Sequence, residues 1–207
     1  MSIALCRGLD RDSAEGRETM HLYIMRHGET DDNTRRVLQG QKDNPLNERG
    51  RQQALRAREE LSGILFDRVY SSPLIRAVET AVLATGRSRE EIILEERLKE
   101  ISFGVLEGTV LDEMKPPYDN FFKDPLRYAT PEGGESLLEL SARTWSFLSE
   151  IRGTLPGKKV LLVSHGAAIH SMIYQIRKEK IDCFWNMNLG NCGLLEISDE
   201  TGDYKIE

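Results

Sequence analysis

Residues 159–176 read KVLLVSHGAAIHSMIYQI, and this stretch decides the fold class. Residues 159–163 have the length and the branched aliphatic composition of a buried strand. A Ser-His-Gly turn separates them from a helical stretch at 167–176. Because a buried strand that runs straight into a helix is the repeating unit of α/β proteins, the stretch predicts such a fold.

Two earlier segments repeat this unit. Residues 21–25 form a short apolar run that stops at Arg-His-Gly, and residues 48–61 are rich in good helix formers. Residues 66–70 read as a second strand, which leads into a helix with Ser72 as N-cap and Pro73 at the first helical position. Strands that alternate with helices predict a three-layer α/β/α sandwich with a mostly parallel central sheet.

The rest of the chain fits one domain. Ser136 and Glu139 form a capping box that opens an amphipathic helix within 135–152, and residues 193–197 and 204–206 read as edge strands. Residues 1–19 are polar and lack apolar periodicity, so we predict a mobile N-terminal tail before a single domain at 20–207.

Composition narrows the class of function. The chain has 207 residues and a formal net charge of −6, which argues against nucleic-acid and membrane-surface partners. No apolar run has the roughly 18 residues needed to span a bilayer, so we expect a cytoplasmic protein. The three cysteines include no C-x-x-C pair, and no motif calls for a metal or a cofactor.

Cationic and imidazole side chains follow the three predicted strands. Arg26 and His27 follow the first strand, Arg76 follows the second, and His165 follows the strand at 159–163. Parallel strands bring their carboxyl ends to one edge of the sheet, so these four side chains are expected to meet. Two Arg and two His form a costly cluster of like charge unless an anion neutralises it, and a phosphoryl group is the natural anion.

Several ordered motifs resemble one known family. They are LYIMRHGET at 22–30, Asn33, Gln39-Gly40, SSPLIRAVETA at 71–81, LKEISFGVLEG at 98–108, PEGGES at 131–136 and VSHG at 163–166. Together they resemble the histidine phosphatase superfamily, the phosphoglycerate-mutase-like group. The resemblance implies the same α/β/α sandwich and a histidine acid phosphatase-type phosphoric monoester hydrolase that acts without a metal or cofactor.

The resemblance also implies a role for each strand-end residue. His27 would be the nucleophile that forms a phosphohistidine. Arg26 and Arg76 would clamp the nonbridging phosphate oxygens, because a guanidinium binds phosphate in a bidentate manner. His165 would donate to the same oxygens and stabilise their charge in the transition state.

Three further residues are assigned through the family motifs. Glu100 would protonate the leaving alkoxide and later take a proton from the attacking water. It lies among Glu95, Glu96 and Glu107, and only the family match singles it out. The match also makes two amide residues hydrogen-bond donors to phosphate, namely Asn33 and Gln39.

The substrate is expected to be a small phosphorylated metabolite. The short chain, and the stretch Ile101-Ser102-Phe103-Gly104 where mutases of this group differ, favour hydrolysis. The pattern looks closer to small broad-specificity or α-ribazole-type phosphatases, although Leu106 replaces a common tryptophan. A mutase-type phosphotransferase and a catalytically idle binding module stay open as alternatives, and the oligomeric state is open as well.

Two features are left with two interpretations each. Residues 109–130 carry Tyr118, Phe121, Phe122 and Tyr128, and could form either a lid over the substrate or a surface excursion packed by its own aromatic side chains. His170 lies five residues after His165, off the face that helical metal ligands share, and is expected to be structural or at the rim of the site.

Overall fold

The computed structural model describes residues 18–199 and 204–206. Residues 1–17 of the predicted tail lie outside the described residues. In the described part, six strands form one sheet in the order β3-β2-β4-β1-β5-β6. The strands are β1 (Met20–Arg26), β2 (Arg68–Ser71), β3 (Ile93–Leu94), β4 (Lys159–Ser164), β5 (Leu194–Asp199) and β6 (Lys205–Ile206).

The sheet is parallel across four strands and antiparallel at one edge. β1 pairs in parallel with β4, β4 with β2, and β2 with β3. β5 runs antiparallel to β1, and β6 runs antiparallel to β5. The mostly parallel sheet is confirmed, and the aliphatic segment at 159–163 lies at its centre as β4.

Helices cover both faces of the sheet. The helices of the described residues are α1 (Asp31–Thr34), α2 (Glu48–Glu60), α3 (Ile75–Thr85), α4 (Asn120–Lys123), α5 (Leu137–Thr154) and α6 (Gly166–Ile176). α5 and α6 pack on one face of the sheet, and α2 and α3 pack on the other. Successive side chains of a strand point to opposite faces. In β4, Val160 and Leu162 pack in one core with α5 and α6, whereas Leu161 and Val163 pack in a second core with α2 and α3. The predicted three-layer α/β/α sandwich is confirmed.

The helix after β2 begins later than predicted. Leu74, not Ser72, is the N-cap of α3, and the first helical residue is Ile75. The hydroxyl of Ser72 lies 2.7 Å from Nε2 of His165. The capping prediction for Ser72 was wrong, because the chain enters the helix only after Leu74. The Ser72 hydroxyl accepts the Leu74 N–H at 3.3 Å and also binds His165 at the carboxyl end of β4.

Other boundaries agree closely with the sequence patterns. Ser136 and Glu139 form the predicted capping box at the start of α5. Among the described helices, none has both the length and the apolar character needed to cross a membrane.

Candidate active site

Three parallel strands end beside one another and bring the predicted residues together. Arg26 of β1 pairs with Ser164 of β4, and the backbone N–H of His27 donates to the Ser164 carbonyl at 2.9 Å. On the other side of β4, the backbone N–H of Ser72 donates to the Val163 carbonyl at 3.0 Å. These bonds place the segments after β1, β2 and β4 at the same edge of the sheet.

His27 is held in one tautomer. Its Nδ1 lies 2.7 Å from the Gly28 carbonyl oxygen. A carbonyl only accepts, so Nδ1 carries the proton and the Nε2 lone pair is free. Burial, followed by the charges of Arg76 and Arg26, lowers the pKa of His27 well below its usual value. His27 is therefore a neutral imidazole with an available nucleophilic nitrogen.

The turn after His27 needs glycine. The backbone N–H of Gly28 donates to Thr80 Oγ1 at 2.9 Å. A Cβ on Gly28 would lie only 2.6 Å from the Gly50 carbonyl oxygen of α2. This close approach fixes the position of the His27 ring against α2 and α3.

Two arginines are fixed by main-chain carbonyls. Arg76, in the first turn of α3 and only 1% exposed, donates through Nη1 to Lys42 O (2.6 Å) and through Nη2 to Gly40 O (2.7 Å). Arg26 donates through Nη1 to Leu189 O at 2.8 Å. Within the described chain, the buried Nε of each arginine has no hydrogen-bond partner. An unsatisfied buried donor costs about 1–3 kcal/mol, so both groups favour a bound anion.

Both arginines stay charged at neutral pH. Burial lowers the pKa of Arg76 to about 10, while the carboxylate of Glu100 acts in the opposite direction. Burial also lowers the pKa of Arg26, again against the effect of Glu100. A pair of fixed positive charges therefore lies beside the neutral His27.

His165 lies behind His27. The centroids of the two rings are 5.1 Å apart, and His165 is fully buried with its Nε2 bonded to Ser72 Oγ. Its Nδ1 has no partner among the described residues. Burial and then the charge of Arg76 lower the pKa of His165 well below its usual value. Burial therefore favours neutral imidazoles, and the like charge at the site comes from the two arginines.

Glu100 is held at the N-terminus of α6. Its Oε1 accepts the backbone N–H groups of Ile101 (3.0 Å) and Ala168 (3.1 Å), and its Oε2 accepts that of Ala167 (3.1 Å). The first turn of a helix favours a negative charge. A Cβ built on Gly166 would lie 3.6 Å from Glu100 Oε2 and 3.8 Å from Arg26 Cζ, so the carboxylate and the guanidinium flank that glycine.

The neighbouring glutamates lie elsewhere. Glu95 binds Arg97, Glu96 binds Lys99, and a carboxylate oxygen of Glu107 accepts the Gln41 N–H. None of these three lines the cavity in which His27 and Glu100 meet. Glu100 is thus the residue of the acidic stretch that the fold brings to the site.

The sequence interpretation missed a salt bridge that holds Glu100 in place. The Arg143 guanidinium of α5 forms a fork with the Glu135 carboxylate at 2.6 and 2.8 Å. It also donates to the carbonyls of Arg97, Lys99 and Glu100 at 2.7–3.0 Å. Glu135 belongs to the PEGGES motif, but no signal in the sequence singled out Arg143.

Thr30 orders the two predicted amide residues. Its Oγ1 donates to Gln39 Oε1 at 2.9 Å, and its backbone N–H donates to Asn33 Oδ1 at 3.1 Å. The amide oxygens of Asn33 and Gln39 are thereby occupied, and both residues line the cavity with His27. This arrangement suits amide NH2 groups that donate to an anion.

The residues converge on a cavity of about 320 Å³. Arg26, His27, Arg76, Glu100, Asn33 and Gln39 line its floor, whereas His165 does not reach its surface. Leu111, Phe121 and Phe122 from the segment at 109–130 contribute to its wall. The segment is also packed by its own aromatic side chains, with Phe121 4.8–4.9 Å from Phe122 and Tyr128. Whether it moves as a lid stays a prediction.

His170 is both structural and part of the cavity wall. It is 7% exposed and packs against Trp185 at a centroid distance of 4.6 Å. Burial lowers its pKa to about 4. The imidazole is therefore neutral at physiological pH.

Three buried histidines with lowered pKa values predict that acid destabilises the protein. Below pH 6.5, protons bind the unfolded chain more readily than the folded one, so stability is full above that pH and falls as the pH decreases. Each histidine contributes up to about 1.4 kcal/mol per pH unit.

His170→Phe keeps the aromatic packing and removes one proton-binding group. Urea unfolding at pH 7, 6 and 5 is expected to give a shallower loss of stability for this variant than for the wild type. Parallel pH profiles would contradict the lowered pKa of His170.

Comparisons with known proteins show the family of the chain. The family model "Histidine phosphatase superfamily (branch 1)" matches residues 22–207. A relative from Hydrogenobacter thermophilus, named as a phosphoserine phosphatase, is 32% identical over 86% of this chain and 89% of its own. Another from Cronobacter sakazakii, named as phosphoglycerate mutase GpmB, is 31% identical over 86% of this chain and 84% of its own. The crystal structure of a phosphoserine phosphatase mutant from Entamoeba histolytica, in complex with phosphoserine, aligns with a TM-score of 0.81. It is 30% identical and covers 90% of this chain and 94% of its own.

Proposed function

Because the chain belongs to the histidine phosphatase superfamily, we propose that it hydrolyses small phosphate monoesters through a phosphohistidine on His27. The tautomer of His27 carries this proposal. Its Nδ1 proton is committed to the Gly28 carbonyl, so the lone pair of Nε2 is available beside two fixed guanidinium groups. That arrangement suits in-line attack on phosphorus.

The reaction has two steps. In the first, His27 Nε2 forms a bond to phosphorus while the bond from phosphorus to the ester oxygen breaks. Glu100, whose carboxyl group has to carry a proton once the ester is bound, gives that proton to the departing alkoxide. In the second, water attacks the phosphohistidine, Glu100 takes a proton from that water, and Nε2 departs. Phosphate is released, and Glu100 returns to its protonated form.

Arg26 and Arg76 supply the positive charge for both steps. Their unpartnered Nε groups and their fixed guanidinium planes suit the nonbridging oxygens of a phosphoryl group. The amide groups of Asn33 and Gln39 add neutral donors at the same cavity. His165 packs against the His27 ring and its Nδ1 has no partner among the described residues, so we propose that this Nδ1 donates a hydrogen bond to the phosphoryl group carried by His27.

We also propose that no metal takes part. Two arginines at the cavity can provide the charge compensation that a divalent cation gives in other phosphoryl-transfer enzymes. In the part of the chain that the structure describes, no group of three or more His, Cys, Asp or Glu side chains is placed to hold a metal ion.

The deciding experiment traps the intermediate. The protein is mixed with a radiolabelled aryl phosphate in excess chelator, quenched in alkali and digested. The expected result is an acid-labile label on the peptide that contains His27, together with release of inorganic phosphate. Label that passes to an added hydroxyl compound in preference to water would favour the mutase alternative, to which the name of the Cronobacter relative corresponds. No label and no phosphate release from a broad panel of esters would favour the idle binding module.

A further inference from the structure

Apart from the residues of the phosphate-binding floor, the cavity is lined mostly by apolar and aromatic side chains. Val37 and Leu38 follow α1, Leu111 and Phe122 come from the segment at 109–130, and Trp185 and Met187 follow α6. Phe122 and Trp185 lie 5.3 Å apart with their planes inclined by 31°. These six side chains line the same cavity as the phosphate-binding residues, and we call the six together the apolar wall.

The apolar wall offers few polar groups to a ligand. The indole N–H of Trp185 is used, since it donates to the Phe121 carbonyl at 2.6 Å. The wall's nearest imidazole, His170, is neutral because burial lowers its pKa to about 4. Apart from the floor residues and His170, the polar side chain among the described residues that line the cavity is Asn188.

The charges at the cavity all belong to the phosphate-binding floor. Among the described residues that line it, the charged side chains are Arg26, Arg76 and Glu100. Leu111 and Phe122 also line a neighbouring pocket, where both cations are in ion pairs: Arg36 binds Asp112 at 3.1 Å and Lys123 binds Asp119 at 2.7 Å. A carboxylate on the organic part of an ester would therefore meet no cation of the cavity lining other than the two arginines that bind the phosphate.

We propose that the organic part of the substrate is uncharged and apolar, and that an aromatic group suits it best. This inference rests on the proposed phosphatase function and names the substrate class of that site. Phosphoserine and phosphoglycerate, the compounds in the names of the relatives, carry a carboxylate close to the ester oxygen. Burial of a charge without a partner costs several kcal/mol, whereas burial of an aromatic ring is favourable.

The test compares esters of primary alcohols, so that the leaving groups are of one chemical kind. They are ethyl phosphate, 2-phenylethyl phosphate, O-phosphoserine and 3-phosphoglycerate. We expect kcat/KM for 2-phenylethyl phosphate to exceed that for both carboxylated esters by at least about tenfold, since one or two apolar groups in a pocket give factors of this size. Equal or faster turnover of either carboxylated ester would overturn the inference.

A matched pair of variants assigns the preference to the apolar wall. Phe122→Ala removes a ring that is 43% exposed and is expected to lower kcat/KM for 2-phenylethyl phosphate about tenfold, with a clearly smaller loss for ethyl phosphate. Leu126→Ala removes an apolar side chain of the same segment that is 66% exposed and does not line the cavity, and it is expected to leave all four rates unchanged. Equal losses for ethyl and phenylethyl phosphate in Phe122→Ala would overturn the role of the wall.

Failure of this inference differs from failure of the proposed function. If the carboxylated esters are preferred and His27 is still phosphorylated, the function stands and the substrate class is wrong. If neither these esters nor 4-nitrophenyl phosphate releases phosphate, the proposed function is wrong and the substrate class falls with it.

Discussion

Replacing His27 with alanine is expected to lower kcat for an aryl phosphate by at least about 10⁴-fold, the size of effect seen when a covalent nucleophile is removed. The Nε2 lone pair is the group that accepts the phosphoryl group in the first step. Alanine leaves both arginines in place, because their orientation comes from the carbonyls of Lys42, Gly40 and Leu189. Steady-state phosphate release measures the loss, and calorimetric titration with inorganic phosphate is expected to show that anion binding is retained.

His21→Ala is the matched control. His21 is the second residue of β1, at the opposite end of the strand from Arg26, and its Nδ1 lies 3.5 Å from Glu196 Oε1, away from the cavity. We expect the activity of His21→Ala to equal that of the wild type. Turnover by His27→Ala within a hundredfold of the wild type would show that another group attacks phosphorus, and the phosphohistidine mechanism would be wrong.

The sequence predicts that the site residues come together, because the carboxyl ends of parallel strands lie at one edge of the sheet. The segments that form β1 and β4 are short apolar runs that are easily recognised as strands. Their carboxyl ends lie side by side in the parallel pair, independently of the loops that connect them. Arg26, His27 and Arg76 therefore reach one cavity as expected. His165 follows β4 as predicted, but it is fully buried behind His27 and does not line that cavity.

The supporting contacts could not be predicted in the same way. Arg143 binds the backbone of residues 97–100 across more than 40 positions of sequence, and an arginine on an amphipathic helix reads as a solvated side chain. Ser72 has the sequence position of a helix cap, yet its hydroxyl binds His165 from another strand. Such contacts depend on the relative placement of elements, which periodicity does not specify.

The charge state of the site residues could also not be predicted from the sequence, because it depends on how deeply each side chain is buried. From the sequence alone, the two arginines and two histidines can only be given their ordinary pKa values. Burial is the largest cause of the lowered pKa in both His27 and His165, and burial is known only once the layers are packed. The lowered pKa of His27 matters for the mechanism, because a protonated imidazole has no lone pair with which to attack phosphorus.

Replacing Glu100 with glutamine is expected to separate the two steps of the reaction. An alkoxide needs a proton to depart, so kcat/KM for an alkyl phosphate is expected to fall about 10³-fold, within the range of general acid catalysis. Nitrophenolate departs without a proton, so kcat/KM for 4-nitrophenyl phosphate is expected to change less than about tenfold, because that ratio reports only the steps through phosphorylation. In the second step the variant has no group that takes a proton from the attacking water, so hydrolysis of the phosphohistidine is slow for both esters. Stopped-flow measurements should therefore show a burst of nitrophenolate equal to the enzyme concentration, followed by slow turnover.

Two further variants separate chemistry from structure at Glu100. Two carboxylate oxygens accept three backbone N–H groups there, whereas glutamine offers one oxygen and turns an NH2 towards donors, which costs about 1–3 kcal/mol of stability. Glu100→Asp keeps both oxygens and is expected to retain more alkyl phosphatase activity than Glu100→Gln. Glu96→Gln changes a glutamate of the same acidic stretch that pairs with Lys99 outside the cavity, and it is expected to leave both substrates unaffected. Equal losses for alkyl and aryl esters in Glu100→Gln, without a burst, would mean that Glu100 supports the fold and transfers no proton.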